Sequence, residues 1–264
     1  MTIGVIGLGN MAKALIGGII SKGIFDPQDI IGADPLEAAR EKAEKKFQIQ
    51  VKDNNADVAR EADVILLAVK PQFLKVAIAD IMDEIDENKL IISIAAGKSL
   101  EWISKEFEKE VKIIRVMPNT PALVGEGCAA ICPNSLCNDA DLNLALDIFR
   151  SCGTANVVPE NMMDVVTGVS GSSPAYVFLF IEAMADAAVL GGMPRKQAYE
   201  FAAQAVLGSA KMVLETGKHP GELKDMVCSP AGTTIEAVKV MEESGFRGIV
   251  MDAVEAAILR SKEL

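Results

Sequence analysis

Short apolar runs alternate with amphipathic stretches through the first 160 residues of the chain. The runs are rich in Val, Ile and Leu with few polar positions between them, which is typical of strands buried on both faces of a parallel sheet. The predicted strands are Ile3–Gly7, Asp29–Ala33, Phe47–Val51, Val64–Val69, Leu90–Ala95, Val111–Met117, Cys128–Cys132 and Ala155–Val158. Helical periodicity predicts helices over Met11–Ser21, Pro35–Lys46, Phe73–Ile85, Leu100–Phe107 and Ala140–Arg150. This alternation predicts an α/β fold.

The β pattern stops after Glu160, and the rest of the chain is predicted to be helical. Ala175–Leu190 is apolar on nearly every side, so this helix must be buried. A domain of about 100 residues has little interior in which to bury it, so we expect a second subunit to cover it. Further helices are predicted, with Gly217 and Gly245 as C-terminal stops. They are Arg195–Glu215, Ile235–Ser244 and Phe246–Lys262.

The first predicted strand runs into Gly7-Leu8-Gly9-Asn10-Met11-Ala12, a G-x-G-x-x-A form of the dinucleotide-binding fingerprint. Gly7 permits the tight turn, Gly9 lets a pyrophosphate approach bare main chain, and Ala12 lets the helix pack closely on the strand. The helix N-terminus then supplies free N–H groups for the phosphates. We therefore predict a Rossmann dinucleotide-binding domain over residues 1–160 and an all-α dimerisation domain over residues 161–264.

Asp34 ends the second predicted strand, where a carboxylate accepts hydrogen bonds from the hydroxyls of the adenosine ribose. It would repel a 2′-phosphate, so Asp34 favours NADH over NADPH as the NAD(P)H coenzyme. The alternative interpretation is an N-cap for the helix after Pro35, and the two roles are compatible. The ends of the fourth and fifth strands lie at the same sheet edge and are predicted to line the ribose and nicotinamide, through Ala68, Val69, Lys70, Pro71, Ala95 and Gly97. For Lys70, an ordinary surface position is the alternative.

Composition and charge narrow the class of protein. The chain of 264 residues has a net charge of −11 and a pI near 4.7, which disfavours nucleic-acid binding because phosphate backbones attract cations. Lys13 lies inside the apolar N-terminal run and no basic segment precedes that run, so no signal peptide is predicted. No uninterrupted apolar stretch reaches the roughly 20 residues that span a bilayer. Five cysteines without a C-x-x-C pair indicate reduced thiols and no metal site. We expect a cytoplasmic protein that does not bind membranes.

No catalytic constellation of side chains is evident in the sequence. The single histidine, His219, precedes Pro220 at a predicted helix start, where a capping or solvent-exposed role is expected. No Ser/His/Asp or Cys/His combination is evident, which favours a reaction whose difficult step belongs to a cofactor, such as hydride transfer to a protonated imine. Two polar segments with small hydroxyl residues, Gly168–Pro174 and Ser229–Thr234, interrupt the helical half. Each is predicted either to bind a carboxylate or to cap a helix.

Several segments together resemble the pyrroline-5-carboxylate reductase family, namely Arg115–Pro121, Gly171–Tyr176, Ser229–Ile235 and Gly245–Arg247. The resemblance covers essentially the whole chain. It implies reduction of Δ1-pyrroline-5-carboxylate to L-proline with NAD(P)H, the last step of proline biosynthesis. It also implies a Rossmann domain followed by a helical domain through which a homodimer forms, often within a larger ring.

The resemblance also assigns roles by motif position. Thr234 would be catalytic, its hydroxyl meeting the ring nitrogen of the substrate, while Gly232 and Thr233 bind the substrate carboxylate through main-chain N–H groups. Ser172 would be a further substrate contact, and Asn119 a cofactor contact. Where the family usually has glycine, this chain has Ala231. If the loop needs a positive φ there, alanine is disfavoured.

Two other functions compete with this interpretation. A β-hydroxyacid dehydrogenase resembles the first half, but relies on a lysine in the first helix of the second domain, and no lysine occurs between Val169 and Ala183. A nucleotide-sensing protein without enzymatic activity would keep only the cofactor site. The loop from Gly232 to Thr234 argues against it.

Overall fold

A computed structural model describes all 264 residues and contains one eight-stranded sheet in the order β3-β2-β1-β4-β5-β6-β7-β8. Each strand overlaps a predicted run, although Phe47, the first residue of the run Phe47–Val51, is helical. The strands are β1 (Ile3–Ile6), β2 (Ile30–Ala33), β3 (Gln50–Lys52), β4 (Val64–Leu67), β5 (Leu90–Ser93), β6 (Lys112–Met117), β7 (Gly127–Pro133) and β8 (Gly153–Val157).

The sheet is mixed, so the expectation of a wholly parallel sheet is wrong at one pair of strands. Strand β7 runs antiparallel to β6, whereas all the other neighbours are parallel. The connection, residues 118–126, contains only the 3₁₀ turn Thr120–Val124. A parallel crossover needs a dozen or more residues, so this short connection forces the chain to reverse.

Twelve α-helices accompany the sheet; α3 and α7 were not predicted, and for α10 only the helix start beside His219 was predicted. The helices are α1 (Asn10–Ser21), α2 (Glu37–Phe47), α3 (Asn55–Glu61), α4 (Pro71–Ile81), α5 (Leu100–Phe107), α6 (Asp139–Arg150), α7 (Met163–Val166), α8 (Ser173–Leu190), α9 (Arg195–Thr216), α10 (Pro220–Val227), α11 (Thr233–Glu243) and α12 (Phe246–Lys262). The chain divides into two compact units. The first comprises Met1–Ser172 and Ala257–Leu264, and the second comprises Ser173–Ala256.

The core of the first unit lies on both faces of the sheet. Every residue of β1, β2, β4 and β5 is buried. Helix α1 covers one face through side chains that include Leu15 and Ile19, and α4 covers the other through side chains that include Leu74 and Ile78. Burial on both faces is the arrangement that the non-alternating apolar runs predicted, and it fixes the strand ends at which a ligand can bind.

The segment Gly168–Pro174 does not interrupt the helices, and the prediction that it does so is wrong. Glu160–Leu190 is one helical run in which Thr167–Gly171 forms a π turn. This helical run is long and apolar enough, by length and composition only, to span a membrane. This composition does not distinguish a membrane span from a helix that another subunit covers, because both are apolar on all sides.

The second unit buries few of its apolar side chains. Helices α8 and α9 pack on each other through Ala185, Ala198 and Ala202. Gly217 (φ +63°) follows α9 and Gly245 (φ +74°) follows α11, which confirms both predicted helix stops. Large apolar side chains remain exposed on α8, α9 and α12, among them Phe178, Leu179, Phe201, Leu214, Ile249 and Met251.

Candidate active site

A cleft of about 760 Å³ opens at the carboxyl ends of β1, β2 and β4. Strand order reverses between β1 and β4, because the chain adds β2 and β3 on one side of β1 and then crosses to the other. Ligands of open α/β sheets bind at such a switch point. The predicted cofactor residues that line the cleft are Gly7, Gly9, Asp34, Ala68, Val69 and Lys70.

The glycine turn after β1 leaves main-chain groups open to the cleft. Gly7 has a φ of +92°, and a Cβ there would lie 2.7 Å from the carbonyl oxygen of Ala68, so only glycine fits. A Cβ on Gly9 would meet nothing within 4 Å. Gly9 is also the N-cap of α1, with no capping side chain and no acidic residue in the first turn. Free N–H groups at this helix start therefore suit a phosphate.

Asp34 braces the glycine turn. Its Oδ2 accepts a hydrogen bond from the Leu8 N–H and its Oδ1 accepts one from the Leu36 N–H, both at 2.9 Å. Leu36, not Asp34, is the N-cap of α2, so the alternative N-cap interpretation is wrong. Each carboxylate oxygen can accept a second bond, so Asp34 can still bind a ribose hydroxyl. Arg40 donates to the main-chain oxygen of Asp34 at 2.7 Å and so lies beside this loop.

The other predicted cofactor residues do not line the cleft; they are Leu8, Asn10, Met11, Pro71, Ala95, Gly97 and Asn119. Leu8 is fully buried, while Asn10 is exposed and Met11 half-buried in the first turn of α1. Pro71 is the first residue of α4, and Ala95 is buried after β5.

Two of these residues, Gly97 and Asn119, contact other segments of the chain. Gly97 (φ +74°) packs directly against Leu264. Asn119 follows β6, is 8% exposed and uses its amide on main-chain groups.

Sequence reasoning missed part of the cleft. Its apolar side carries the exposed side chains of Leu36, Phe73 and Val76, and its polar side carries Asp53, Asn54, Asn55 and Asp80. Asp53 and Asn54 directly follow β3, so the rule that ligands lie beyond the carboxyl ends of strands would have found them. Lys70 is the only cation among the lining residues, against three carboxylates.

Asn54 and Asn55 are themselves held in place at the start of α3. The Asn54 side chain caps the helix by accepting from the Asp57 N–H, and its Nδ2 donates to Asp57. Asn54 and Arg60 lower the pKa of Asp57 below its ordinary value, so this carboxylate stays ionised near the positive end of the helix. Asn55 donates to Asp80 at 2.9 Å. These bonds fix the polar side of the cleft.

The predicted substrate loop lies in the second unit. The Gly232 N–H donates to the Ser229 carbonyl oxygen at 3.0 Å, which closes a turn with Pro230 at its second position. Ala231, at the third position, has a φ of +57°, so the expectation of an unfavourable alanine is confirmed. Gly232 is the N-cap of α11 and offers no capping side chain. Thr233 is exposed and Thr234 is half-buried.

The remaining polar groups offer little catalytic chemistry. His219 Nδ1 accepts from the Gly221 N–H at 3.1 Å, which confirms a capping role for this histidine at α10. All five cysteines are free thiols. Burial raises the pKa of Cys132, and that of Cys137 to about 11, so these thiols stay protonated at neutral pH and are poor nucleophiles. No group of three or more His, Cys, Asp or Glu side chains is placed to hold a metal ion.

The sheet order and the glycine-lined cleft define a Rossmann-type dinucleotide-binding protein. Comparison with known families agrees. Residues 2–97 match the family described as NADP oxidoreductase, coenzyme F420-dependent, and residues 160–264 match the family described as pyrroline-5-carboxylate reductase dimerisation.

Relatives extend the match to the full chain. The pyrroline-5-carboxylate reductase of Escherichia coli (strain K12) is 52% identical, over 99% of this chain and 97% of that protein. The Methanosarcina acetivorans enzyme of the same name is 50% identical with the same coverage. A crystal structure of Plasmodium falciparum pyrroline carboxylate reductase with NADP bound has a TM-score of 0.91 at 36% identity, and covers 100% of this chain and 97% of that one. The chain therefore belongs to the pyrroline-5-carboxylate reductase family, as the motifs predicted.

More distant structures share only the fold. Prephenate dehydrogenase from Aquifex aeolicus is 13% identical with a TM-score of 0.57. The Mycobacterium tuberculosis 3-hydroxyisobutyrate dehydrogenase is 15% identical with a TM-score of 0.53. Neither likeness supports the dehydrogenase alternative.

Proposed function

We propose that the chain reduces Δ1-pyrroline-5-carboxylate to L-proline with a reduced nicotinamide coenzyme, and is thus an oxidoreductase of proline biosynthesis. The observation that carries this proposal is the 52% identity to a reductase of that name over nearly the whole chain. When bound, the coenzyme supplies the hydride that adds to the carbon of the C=N bond. The ring nitrogen of the substrate carries the proton.

The cleft residues would bind the coenzyme by main-chain groups and one carboxylate. Gly9 and the N–H groups of Asn10 and Met11 at the start of α1 meet the pyrophosphate. Asp34 accepts from the adenosine ribose hydroxyls while it holds Leu8 in place. This proposal is supported by the exposed Gly9 backbone and by the steric need for glycine at position 7.

The loop before α11 would bind the substrate. Gly232 and Thr233 offer main-chain N–H groups to its carboxylate, since no side chain caps this helix start. The Thr234 hydroxyl accepts a hydrogen bond from the protonated ring nitrogen. Ser172 is proposed as a further substrate contact. No strong base is required, because the substrate arrives as an electrophile.

For the coenzyme, we propose a preference for NADH. The cleft is lined by Asp34, Asp53 and Asp80 with Lys70 as the only cation, and this charge disfavours a 2′-phosphate. Asp34→Ser should raise kcat/KM for NADPH relative to NADH, with Asp53→Ser as a matched removal of charge. An unchanged coenzyme ratio in Asp34→Ser would mean that Asp34 serves only to brace the glycine turn.

For assembly, we propose a homodimer through residues 161–264. Support comes from the exposed apolar side chains of the second unit and from the dimerisation family that matches residues 160–264. Light scattering after size exclusion should give at least twice the mass of 28.0 kDa, and a larger multiple would indicate a ring. A monomer that enters detergent micelles would favour a membrane role for the Glu160–Leu190 run instead. A cytoplasmic location remains our expectation.

The reaction is tested by mixing the purified protein with pyrroline-5-carboxylate and either coenzyme, and following coenzyme absorbance. We expect consumption of coenzyme and formation of proline. Coenzyme binding without turnover would favour a sensor, and turnover only with a hydroxyacid would favour a dehydrogenase. Thr234→Ala should lower kcat more than it weakens coenzyme binding, whereas the exposed Thr233, which acts through its main chain, should tolerate Thr233→Ala.

A further inference from the structure

The π turn Thr167–Gly171 precedes the proposed substrate contact Ser172. The Ser172 N–H donates to the Thr167 carbonyl oxygen at 2.8 Å, five residues back. Such wide turns are rare inside α-helices and occur frequently at functional sites. The hydroxyls of Thr167 and Ser170 donate to the carbonyl oxygens of Met163 and Val166, at 2.9 and 3.1 Å. The turn is therefore a defined conformation that side chains maintain.

Asn119 ties this turn to the sheet. Its Nδ2 donates to the Ser170 carbonyl oxygen at 3.1 Å, and its Oδ1 accepts from the Cys128 N–H at 2.8 Å. The side chain is almost wholly buried. Because both ends of the amide are bonded to main-chain groups of different elements, Asn119 joins the π turn to the start of β7.

The tie lies at the edge of the sheet where a dinucleotide binds. Asn119 follows the carboxyl end of β6, and β6 is parallel to β5 and β4. Gly171 packs closely on Met117, the last residue of β6, since a Cβ there would lie 2.5 Å from the Met117 Cε. Two strand spacings, about 10 Å, separate β6 from β4. In a Rossmann sheet the half that contains β4 to β6 binds the nicotinamide end of the coenzyme.

We propose that Asn119 is a positioning residue, which holds the π turn and with it Ser172 at the nicotinamide end of the site. It acts through the Ser170 carbonyl and not by touching the coenzyme. The proposal rests on the proposed reduction of pyrroline-5-carboxylate. This role accounts for the buried amide that follows β6. A smaller residue at position 119 would leave the Ser170 carbonyl and the Cys128 N–H without the Asn119 amide as a hydrogen-bond partner.

The test compares Asn119→Asp with Asn134→Asp. Asn134 is a matched control because its amide also bridges main-chain groups, accepting from the Ile113 N–H at 3.2 Å and donating to the Val111 carbonyl at 2.8 Å. These groups lie at the amino end of β6, away from the site. In Asn119→Asp, the new carboxylate oxygen repels the Ser170 carbonyl, whereas the bond from Cys128 can remain.

We expect kcat/KM for pyrroline-5-carboxylate to fall roughly 10- to 100-fold in Asn119→Asp, because a small misplacement of a positioned group has effects of this size. The dissociation constant for NADH, measured by fluorescence, should change less than about twofold, because Asn119 does not touch the coenzyme in this proposal. Asn134→Asp should lower the melting temperature without this kinetic change. Asn119→Ser, a smaller perturbation measured at low temperature, should show the same split if Asn119→Asp does not fold.

Two results would overturn the inference. Equal kinetic behaviour of the Asn119 and Asn134 variants would make Asn119 a structural residue only. Weaker NADH binding in Asn119→Asp with an unchanged kcat would make it a direct coenzyme contact. Activity of the unmodified protein is measured in parallel, so that a wild type unable to reduce pyrroline-5-carboxylate refutes the proposed function separately.

Discussion

Replacing Ala231 with glycine should stabilise the protein. The Ala231 main chain has a φ of +57°, in the left-handed region, which costs an L-residue about 1–2 kcal/mol relative to glycine. Glycine also makes the unfolded chain more flexible, and this entropy lowers the gain in stability by about 0.4–1 kcal/mol. Ala231 is exposed, so loss of its methyl group leaves no cavity. The net gain in unfolding free energy is about 0.5–1 kcal/mol.

The assay is thermal and denaturant unfolding at one protein concentration, because dissociation of subunits would otherwise shift the midpoint. The expected gain corresponds to a rise in melting temperature of about 2 °C. Gln48→Gly and Glu108→Gly are matched controls, since these residues have φ values of +58° and +55°. They should show a similar gain, with no change in the KM for substrate.

Ala237→Gly provides the opposite control. Ala237 is exposed in the interior of α11, where glycine should destabilise by about 1 kcal/mol. If Ala231→Gly destabilised the protein by a similar amount, the left-handed conformation of this residue in the loop, and the reasoning built on it, would be refuted.

Three further outcomes are expected. Gly7→Ala should weaken coenzyme binding, measured by titration. It should also lower the unfolding free energy by more than the roughly 1–2 kcal/mol that the positive φ alone costs an alanine, measured by denaturant unfolding. Lys89→Met should lower the unfolding free energy by about 1–3 kcal/mol, because the Lys89 ammonium donates to the carbonyls of Ala59 and Ala62 at 2.8 and 2.6 Å. Lys105→Met, which removes a surface ion pair with Glu101, should lower it by less than about 0.5 kcal/mol. The half-buried Cys137 thiol, with a pKa raised from 9.0 to about 11, favours the folded state below pH 9 and loses this contribution as the pH rises to 11. Unfolding measured across that range should therefore show a smaller decline in stability for Cys137→Ala than for the wild type.

The fold was accessible from the sequence wherever hydrophobic periodicity was strong. All eight strands overlap predicted apolar runs. The four wholly buried strands, β1, β2, β4 and β5, stand out most clearly, because burial on both faces disfavours polar residues. Helix α3 was missed since it is short and its sequence, Asn55–Glu61, is mostly polar. The reversal of β7 depends on the length of a connection, which periodicity does not encode. The π turn was missed because Gly and Ser are typical of loops.

The candidate site was predictable only in part, for a related reason. The glycine turn and Asp34 carry chemistry that local sequence encodes. Leu36, Phe73 and Val76 reach the cleft because of how α2 and α4 are placed on the sheet, and an apolar side chain on a helix is more often part of the core. The hydrogen bond from Leu8 to Asp34 spans 26 positions and could not be inferred from motif spacing.

The C-terminal residues have a consequence for chimaeras made from this protein. Ala257–Leu264 belong to the first compact unit, where Ser261 donates to Asp164 at 2.7 Å and Leu264 lies against Gly97. A fragment cut once between the two units would lose these contacts and uncover the turn after β5. Transplanting the nucleotide-binding half into another reductase, or exchanging it for one of different coenzyme preference, thus requires two junctions, with the last turns of α12 transferred along with the sheet.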